Sequence, residues 1–277
     1  MGKSVGFIGN FKGKLGNTVG YKVSQSNSGT NQGLRVYQPN IKNPKSAAQA
    51  EQRAKYAPIF ATYRALKMII DRGNESKPYG NASRVAWLKK AFRSSVIPWT
   101  PQGETVKYPV LCELTSGSLQ NMVWLPTEDN LMVTILGLKR QSDVSKIGLL
   151  SEAILNAYPY LKVGDQITFI NVSDDGQSMF ADVYSFILDP NSTEPTKGIS
   201  AGSSVIYWQP NSVNGIFSVI VSREGAHGEH LRSTSQLNIN VVQLSDYPYR
   251  PQDKQAAIES YMSSASANAD WAEESIQ

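Results

Sequence analysis

The sequence contains very few of the residues that build disulfides, metal sites and histidine-based catalytic sites. Its 277 residues include one cysteine and two histidines. The single cysteine, Cys112, excludes an internal disulfide and fits a reducing compartment or a particle that needs no disulfides. No apolar run approaches the ~18 residues of a membrane span, and the N-terminus lacks the apolar segment of a secretory signal. We therefore expect synthesis in the cytoplasm and no membrane partner.

Acidic side chains are missing from the first part of the chain, where Glu51 is the first to occur. Residues 1–96 carry 17 Lys and Arg against three acids, whereas residues 97–277 carry 10 against 20. Such a separation of charge creates a positive potential over one half of the chain, which attracts polyanions. The partner of that half is either nucleic acid or an acidic protein surface, including the acidic half of another copy.

The first 45 residues form a basic arm that is rich in glycine. Glycine recurs every three or four residues between positions 2 and 20, and each interior glycine costs a helix ~1 kcal/mol relative to alanine. We therefore predict an extended ribbon rather than a helix. A strand over 18–23, a polar loop over 24–33 and a returning strand over 34–38 then make a β-hairpin.

Residues 46–98 have the composition of a helical hairpin. Ser46 is suited to cap a first helix over 47–72, in which Pro58 produces a kink or a break. A second helix is predicted over 82–95. Its predicted apolar face consists of Val85, Leu88 and Phe92.

Short β-patterned runs follow from residue 99 onwards, at the intervals expected of an antiparallel β-sandwich. Alternation of Ile and Ser with Phe and Val over 216–222 indicates a sheet with one face in water. A helix is also predicted over 146–158. The predicted strands cover residues 110–114, 122–125, 131–138, 166–172, 179–188, 204–208, 215–222 and 237–244.

The predicted fold class is therefore α+β, with four successive parts. A glycine-rich β-hairpin or arm (1–45) and a helical hairpin (46–98) precede a mainly antiparallel β-sandwich domain (99–245). Residues 246–277 carry six acids against two bases and form an acidic tail that is partly helical.

Patterns typical of catalytic or cofactor sites are weak throughout the chain. The pair Gly13-Lys14 fails the phosphate-loop motif, because Ile8 and Leu15 stand where glycine and Ser or Thr are required. His227 and His230 lie in a loop with two glutamates that could ligate a divalent ion, although a solvated hairpin loop is the ordinary alternative. We predict no enzyme activity, no catalytic residue, no cofactor and no metal, and metal binding by these histidines stays open.

The arm and the two helices carry the candidate contact residues. Lysines separated by glycine let a backbone lie close to phosphates, and exposed aromatic rings can stack on unpaired bases. The alternative is that these rings are buried or form a subunit contact. The cationic candidates are Lys3, Lys12, Lys14, Lys22, Arg35, Lys42, Lys45, Arg53, Lys55, Arg64, Lys67, Arg84, Lys89, Lys90 and Arg93. The aromatic candidates are Phe7, Phe11, Tyr21 and Tyr37.

Two stretches carry a resemblance to a known family: GKLGNTVGYK at 13–22 and YQPNIKNPKSAAQAEQRAKY at 37–56. They resemble a family of unassigned function from gut Bacteroidota and their phages, with a Gly-Lys-rich arm and a Gln-x-x-Gln-Arg-Ala-Lys helix. Residues 86–91 and 116–119 resemble its later elements, so the likeness covers about the first 120 residues. The longer loop over 24–33 and the acidic C-terminal extension depart from its pattern.

The resemblance implies a fold outline and a phage or prophage setting, and it implies no activity. Our first hypothesis is a phage virion or assembly component, made in the bacterial cytoplasm and associated with the virion. Its basic N-terminal half would contact other virion subunits or copies of the same chain. The second hypothesis is a non-specific or single-stranded DNA- or RNA-binding module. A third, an enzyme or sugar-binding sandwich, has no visible site.

Overall fold

The structure is a computed structural model in which contacts divide the chain into two units, Met1–Lys45 and Ser46–Gln277. The described residues are 13–15, 18–22, 32–36, 46–77, 80–126, 132–135, 144–174, 177–201, 205–208, 216–226, 228–239 and 247–267.

The first unit contains one antiparallel sheet of three strands. These are β1 (Gly13–Leu15), β2 (Thr18–Lys22) and β3 (Gln32–Val36). The hairpin predicted over 18–38 corresponds to β2 and β3, while β1 falls in the predicted irregular ribbon. Leu15 pairs with Thr18, so only two residues connect β1 to β2.

The second unit begins with three helices, α1 (Ala47–Ala65), α2 (Lys67–Ile70) and α3 (Gly80–Ala91). The predicted cap is confirmed, because the Ser46 hydroxyl accepts the Gln49 N–H at 3.4 Å. α1 continues through Pro58, so the predicted alternative of a break at that residue is wrong. The helix instead ends at Ala65.

The buried face of α3 differs from the predicted one. Ser83, Trp87 and Ala91 are buried, whereas Val85 is 41% exposed. Trp87 is the largest apolar side chain of the helix and enters the core, and the Ser83 hydroxyl donates to the Ile70 carbonyl oxygen at 2.6 Å. Of the predicted face, Leu88 and Phe92 are partly buried and pack against this core, whereas Val85 does not.

The remaining elements alternate strands with two helices, and every named strand pairing is antiparallel. The class α+β is therefore established. In order they are β4 (Glu113–Thr115), β5 (Leu125–Pro126), β6 (Met132–Ile135), α4 (Ile147–Ala157), β7 (Gln166–Asp174), β8 (Met179–Ile187), β9 (Ile199–Ala201), β10 (Val205–Trp208), β11 (Ile216–Glu224), β12 (His230–Arg232), β13 (Ser235–Gln236), β14 (Asn238–Ile239) and α5 (Pro251–Ala267).

The strands form two main sheets and one short pair. One sheet has the order β5-β6-β10-β9, the other has the order β12-β11-β7-β8 with β14 also paired to β11, and β13 pairs with β4. The helix predicted over 146–158 is confirmed as α4, whereas β9, β12 and β13 were not predicted. In the described part of the chain, every helix is too short or too polar to cross a membrane.

The β7–β11 pair is buried on both faces. On one face Phe169 and Phe217 belong to a core that includes α4 and Trp208. On the other face Ile170 and Ile220 pack in a second core with the helices α1 to α3. The two faces of this sheet therefore join the helical segment to the β-rich segment.

The prediction that β11 has one face in water is wrong, since all of residues 216–221 are buried. The helices cover the face that carries the serine. Ser218 is tolerated there because its hydroxyl is hydrogen-bonded to the Ser235 hydroxyl at 2.6 Å and to the Gln236 carbonyl oxygen at 2.9 Å.

The turn at Ser116–Leu119 is held by a carboxylate from the helical segment. Glu75 accepts the Ser118 N–H at 2.9 Å, the Ser118 hydroxyl at 2.8 Å and the Arg232 N–H at 3.0 Å. Burial acts to raise the pKa of Glu75, but these hydrogen bonds outweigh it and lower the pKa. A Cβ at Gly117 would lie 2.0 Å from the Arg232 carbonyl oxygen, so this position requires glycine.

Helix α5 lies in the predicted acidic tail and packs on α1. Ala257 is fully buried in a small cluster with Ala54 and Trp99. Lys254 forms an ion pair with Glu51 at 3.0 Å and lies over the Trp99 ring, 5.5 Å from its centroid. The helix is therefore anchored to the N-terminal half of α1.

Candidate functional site

One exposed sector of α1 combines cations with aromatic rings. At ~100° per residue, Arg53, Tyr56, Phe60 and Arg64 fall within about 80° of the helix circumference. Arg53 and Arg64 are exposed, and Tyr56 is 48% exposed. The opposite side of the helix carries the buried positions, including Ala54 and Pro58.

The aromatic rings of this sector continue onto α3. The Tyr56 and Phe60 rings stack with centroids 5.5 Å apart and an interplanar angle of 13°. Phe92, the residue that follows α3, meets Tyr56 edge to face at 4.8 Å. These rings therefore form one partly exposed aromatic cluster that joins two helices.

Cations surround the aromatic cluster. Lys89 near the end of α3 and Arg93 just after that helix are exposed, like Arg53 and Arg64 on α1. Within the described residues none of these cations forms an ion pair with an acid. We call this surface the cation–aromatic face. Its members are Arg53, Tyr56, Phe60, Arg64, Lys89, Phe92 and Arg93.

The other predicted helical cations differ in their surroundings. Lys55 pairs with Glu51 at 3.1 Å, and Lys90 pairs with Glu113. Arg84 donates to the Asn81 side chain and lies over the Tyr63 ring, 5.8 Å from its centroid. These three are engaged within the chain. Lys67 is exposed in α2.

Most candidates in the first 45 residues lie outside the described residues. The structure describes the backbone, in β1 to β3, of Lys14, Tyr21, Lys22 and Arg35, and Val19 pairs in register with both Lys14 and Arg35. The candidates that lie outside the described residues are Lys3, Phe7, Phe11, Lys12, Tyr37, Lys42 and Lys45.

The aromatic part of the face was missed by the sequence analysis. Tyr56 and Phe60 have a spacing of four residues, which places two rings on one side of a helix. That signal was available in the sequence. The contribution of Phe92 was not, because it depends on how α1 and α3 pack together.

Apart from the cation–aromatic face, a cleft of about 220 Å³ lies beside β4, β11 and β13. Trp124 is 4% exposed, lines this cleft, and has an indole N–H without an acceptor among the described residues. The Asn121 amide is occupied by Val219 and Met122 backbone groups. The lining residues are Glu113, Asn121, Met122, Trp124, Val219, Thr234, Ser235, Gln236 and Asn238. The Glu113 carboxylate of this cleft is likewise engaged, through its ion pair with Lys90.

The residues considered for metal binding and thiol chemistry are not assembled into a described site. His230 is exposed on β12, and His227 lies outside the described residues. Among the described residues, no three His, Cys, Asp or Glu side chains group around a possible metal position. Burial raises the pKa of the Cys112 thiol to about 12, so very little reactive thiolate forms at neutral pH.

Comparisons with protein-family models, curated proteins and solved structures found no match to this chain.

Proposed function

We propose that the chain is a non-enzymatic structural or assembly protein that acts through contacts of its basic N-terminal half. Its partners would be other subunits of a phage particle or copies of the same chain. The observation that carries this proposal is the cation–aromatic face, in which Arg53, Arg64, Lys89 and Arg93 surround partly exposed rings. The phage setting rests on the resemblance of the first 120 residues.

The chemistry of this face suits a protein interface. Aromatic residues and arginine are enriched at the centres of interfaces, where they dominate the binding energy. Tyr56 already stacks on Phe60, so little conformational entropy is lost when a partner covers the pair. The unpaired cations favour a partner surface that carries acidic side chains, since charge complementarity directs association.

The finer architecture belongs to the same proposal. The four-stranded sheet and the five-stranded sheet would form a β-sandwich. The glycine-rich arm over 1–45 would extend the basic contact surface beyond the helices. Acidic residues 246–277 would provide the opposite charge, which suits head-to-tail contacts between copies.

Charge reversal on α1 tests the proposal. We expect the double variant Arg53→Glu, Arg64→Glu to lose self-association in light scattering, or to be missing from purified phage particles by mass spectrometry. The physical reason is that two attractive contacts become repulsive ones. The predicted loss of affinity is about tenfold to a hundredfold. This corresponds to a loss of about 1.4–2.8 kcal/mol in binding free energy when interface charges are reversed.

The matched control is the double variant Lys107→Glu, Lys197→Glu, which makes the same charge change at exposed lysines outside the face. It should assemble like the unaltered chain. A protein that stays strictly monomeric at all concentrations and is absent from particles contradicts the proposal. Equal losses in both double variants would also contradict it, because net charge alone would then be responsible.

Nucleic-acid binding is the second candidate function, and the stacked Tyr56–Phe60 pair favours it specifically. Exposed aromatic rings beside cations can stack on unpaired bases while the cations contact phosphates. We expect binding of single-stranded DNA whose log K falls with log salt by roughly 0.7 per phosphate contact. Filter binding measures this directly. Lack of retention of both single- and double-stranded DNA at low salt rules this function out.

A further inference from the structure

We infer that the outer edge of β8 pairs with the same strand of a second copy of the chain, so that two molecules share one continuous sheet. β8 (Met179–Ile187) is nine residues long and ends the sheet order β12-β11-β7-β8. Among the described strands it pairs only with β7. Its second edge therefore has no strand partner in the described part of the chain.

The hydrogen bonds of β11 show which backbone groups of β8 reach that edge. The Val221 N–H donates to Ser233 Oγ at 2.9 Å, and the Val221 carbonyl oxygen accepts the Ser233 N–H at 2.8 Å. Ser233 follows β12, on the side of β11 that faces away from β7. Because backbone groups alternate between the two edges of a strand, Ile220 bonds to its partner Thr168 of β7.

The same alternation continues through β7 to β8. Thr168 turns its N–H and carbonyl groups towards β11, so Phe169 turns its own towards Tyr184, its partner on β8. The residues on either side of Tyr184 therefore turn their backbone groups away from β7. These outward groups belong to Ala181, Val183 and Ser185. None of them has a hydrogen-bond partner among the described residues.

The other ends of the two main sheets are protected against pairing, whereas this edge is not. β9 and β12 have three residues each, and β5 has two residues and contains Pro126. Short edge strands, proline and lysine are common protections of a sheet edge. β8 contains no proline and no basic side chain, and its one charge is Asp182. Val183 and Ile187 are 50% and 57% exposed, which leaves room for a neighbouring strand.

A second copy fits this edge because the strand is complementary to itself. An antiparallel pair centred on Val183 matches all nine residues of both strands around a two-fold axis. On the side that carries Val183, Met179 of one copy then lies opposite Ile187 of the other. On the other side Asp182 faces Tyr184 rather than another Asp182, so like charges are not directly opposite each other.

This dimer goes beyond the proposed function and does not depend on it. No member of the cation–aromatic face lies on β8, so the two surfaces can be altered one at a time. Arg53→Glu with Arg64→Glu removes association through the face and should leave pairing through β8 unchanged. Failure of one contact is therefore distinguishable from failure of the other.

Hydrogen exchange of backbone amides, followed residue by residue by NMR on the full chain, tests the inference. Edge pairing buries little surface, so we expect a weak dimer that forms as the concentration rises about a hundredfold through the micromolar range. Over that range the amides of Ala181, Val183 and Ser185 should exchange about tenfold more slowly. The amides of Asp182 and Tyr184 already bond to β7 and should slow much less. Edge-to-edge pairing predicts this alternation.

Lysine at the centre of the pair should block it. Val183→Lys places two lysines directly opposite each other and should weaken the dimer about tenfold. The matched control is Val163→Lys, which makes the same change at a position that is 64% exposed and outside β8. Equal weakening in both variants overturns the inference. Fast exchange of the outward amides at every concentration also overturns it. Slow exchange in a strictly monomeric protein does so too, because the chain itself then covers the edge.

A cysteine variant identifies the partner strand. In the proposed register the two Val183 Cα atoms lie about 5.5 Å apart, which is within the range of a disulfide. Oxidised Val183→Cys should therefore form a covalent dimer, and Val163→Cys should not. Cys112 does not interfere, because burial raises the pKa of its thiol to about 12. Slowed exchange without a covalent Val183→Cys dimer overturns the inference, since another segment then occupies the edge.

Discussion

Replacing Phe169 with alanine is expected to lower the free energy of unfolding by about 3–5 kcal/mol. The Phe169 side chain is fully buried in the core that includes α4, Trp124 and Trp208. Its ring stacks on Trp208 at 5.3 Å and meets Trp124 edge to face at 4.5 Å. The closely packed aromatic rings around Phe169 cannot move far into the space that the ring leaves, so a cavity remains. Equilibrium urea unfolding measures the loss.

A nearby exposed residue supplies the control for Phe169. Val183 lies on the adjacent strand β8 and is 50% exposed, so its replacement by alanine should change stability by less than about 0.5 kcal/mol. The near-ultraviolet circular dichroism of Phe169→Ala should also weaken, since Trp124 and Trp208 lose a packing partner. A loss below about 1 kcal/mol for Phe169→Ala would mean that the core is not arranged as described.

Removing the Asp165 carboxylate is the second change with a large expected effect. Asp165 is 1% exposed and accepts from Arg223 Nε at 2.6 Å, from Arg223 Nη2 at 2.7 Å and from the Lys162 N–H at 2.8 Å. Asp165→Ala leaves the Arg223 guanidinium without its carboxylate. We expect a loss of about 3 kcal/mol, the lower end of the range for buried pairs, because the Arg223 side chain is 20% exposed.

The double variant Asp165→Leu, Arg223→Met separates the ion pair from simple packing loss. Removing both side chains leaves no unpaired charge, and only the Lys162 N–H and the Tyr160 carbonyl oxygen lose a partner, so part of the stability should return. Glu152→Ala, at an exposed position of α4, should change stability by less than about 0.5 kcal/mol. If Asp165→Ala unfolds at the same urea concentration as Glu152→Ala, the pair does not contribute as described.

Local signals in the sequence were sufficient for several elements. Ser46 caps α1 as predicted. An N-cap is a local feature, because the hydroxyl accepts a backbone N–H that is only three residues away in the sequence. The helix α4 and the strands β7 and β8 were also predicted near their observed limits. Each depends on apolar periodicity over a short stretch, which is a property of neighbouring residues.

The candidate site was predictable only in its charge. Composition identified the basic half, and five of its eight helical cations are exposed without an ion pair in the described residues. The aromatic rings of the face could be only partly predicted from the sequence. Tyr56 and Phe60 share a helix side by spacing, but Phe92 joins them through packing between α1 and α3.

The sequence by itself therefore determined the separation of charge, the helix cap at Ser46 and the α+β class. Only the tertiary structure decided that β11 is covered on both faces, that α3 turns Trp87 inward, and that Asp165 meets Arg223 across 58 positions of sequence. The reason is physical. Periodicity tells which residues share a side of an element, whereas the element that packs against that side comes from a distant part of the chain.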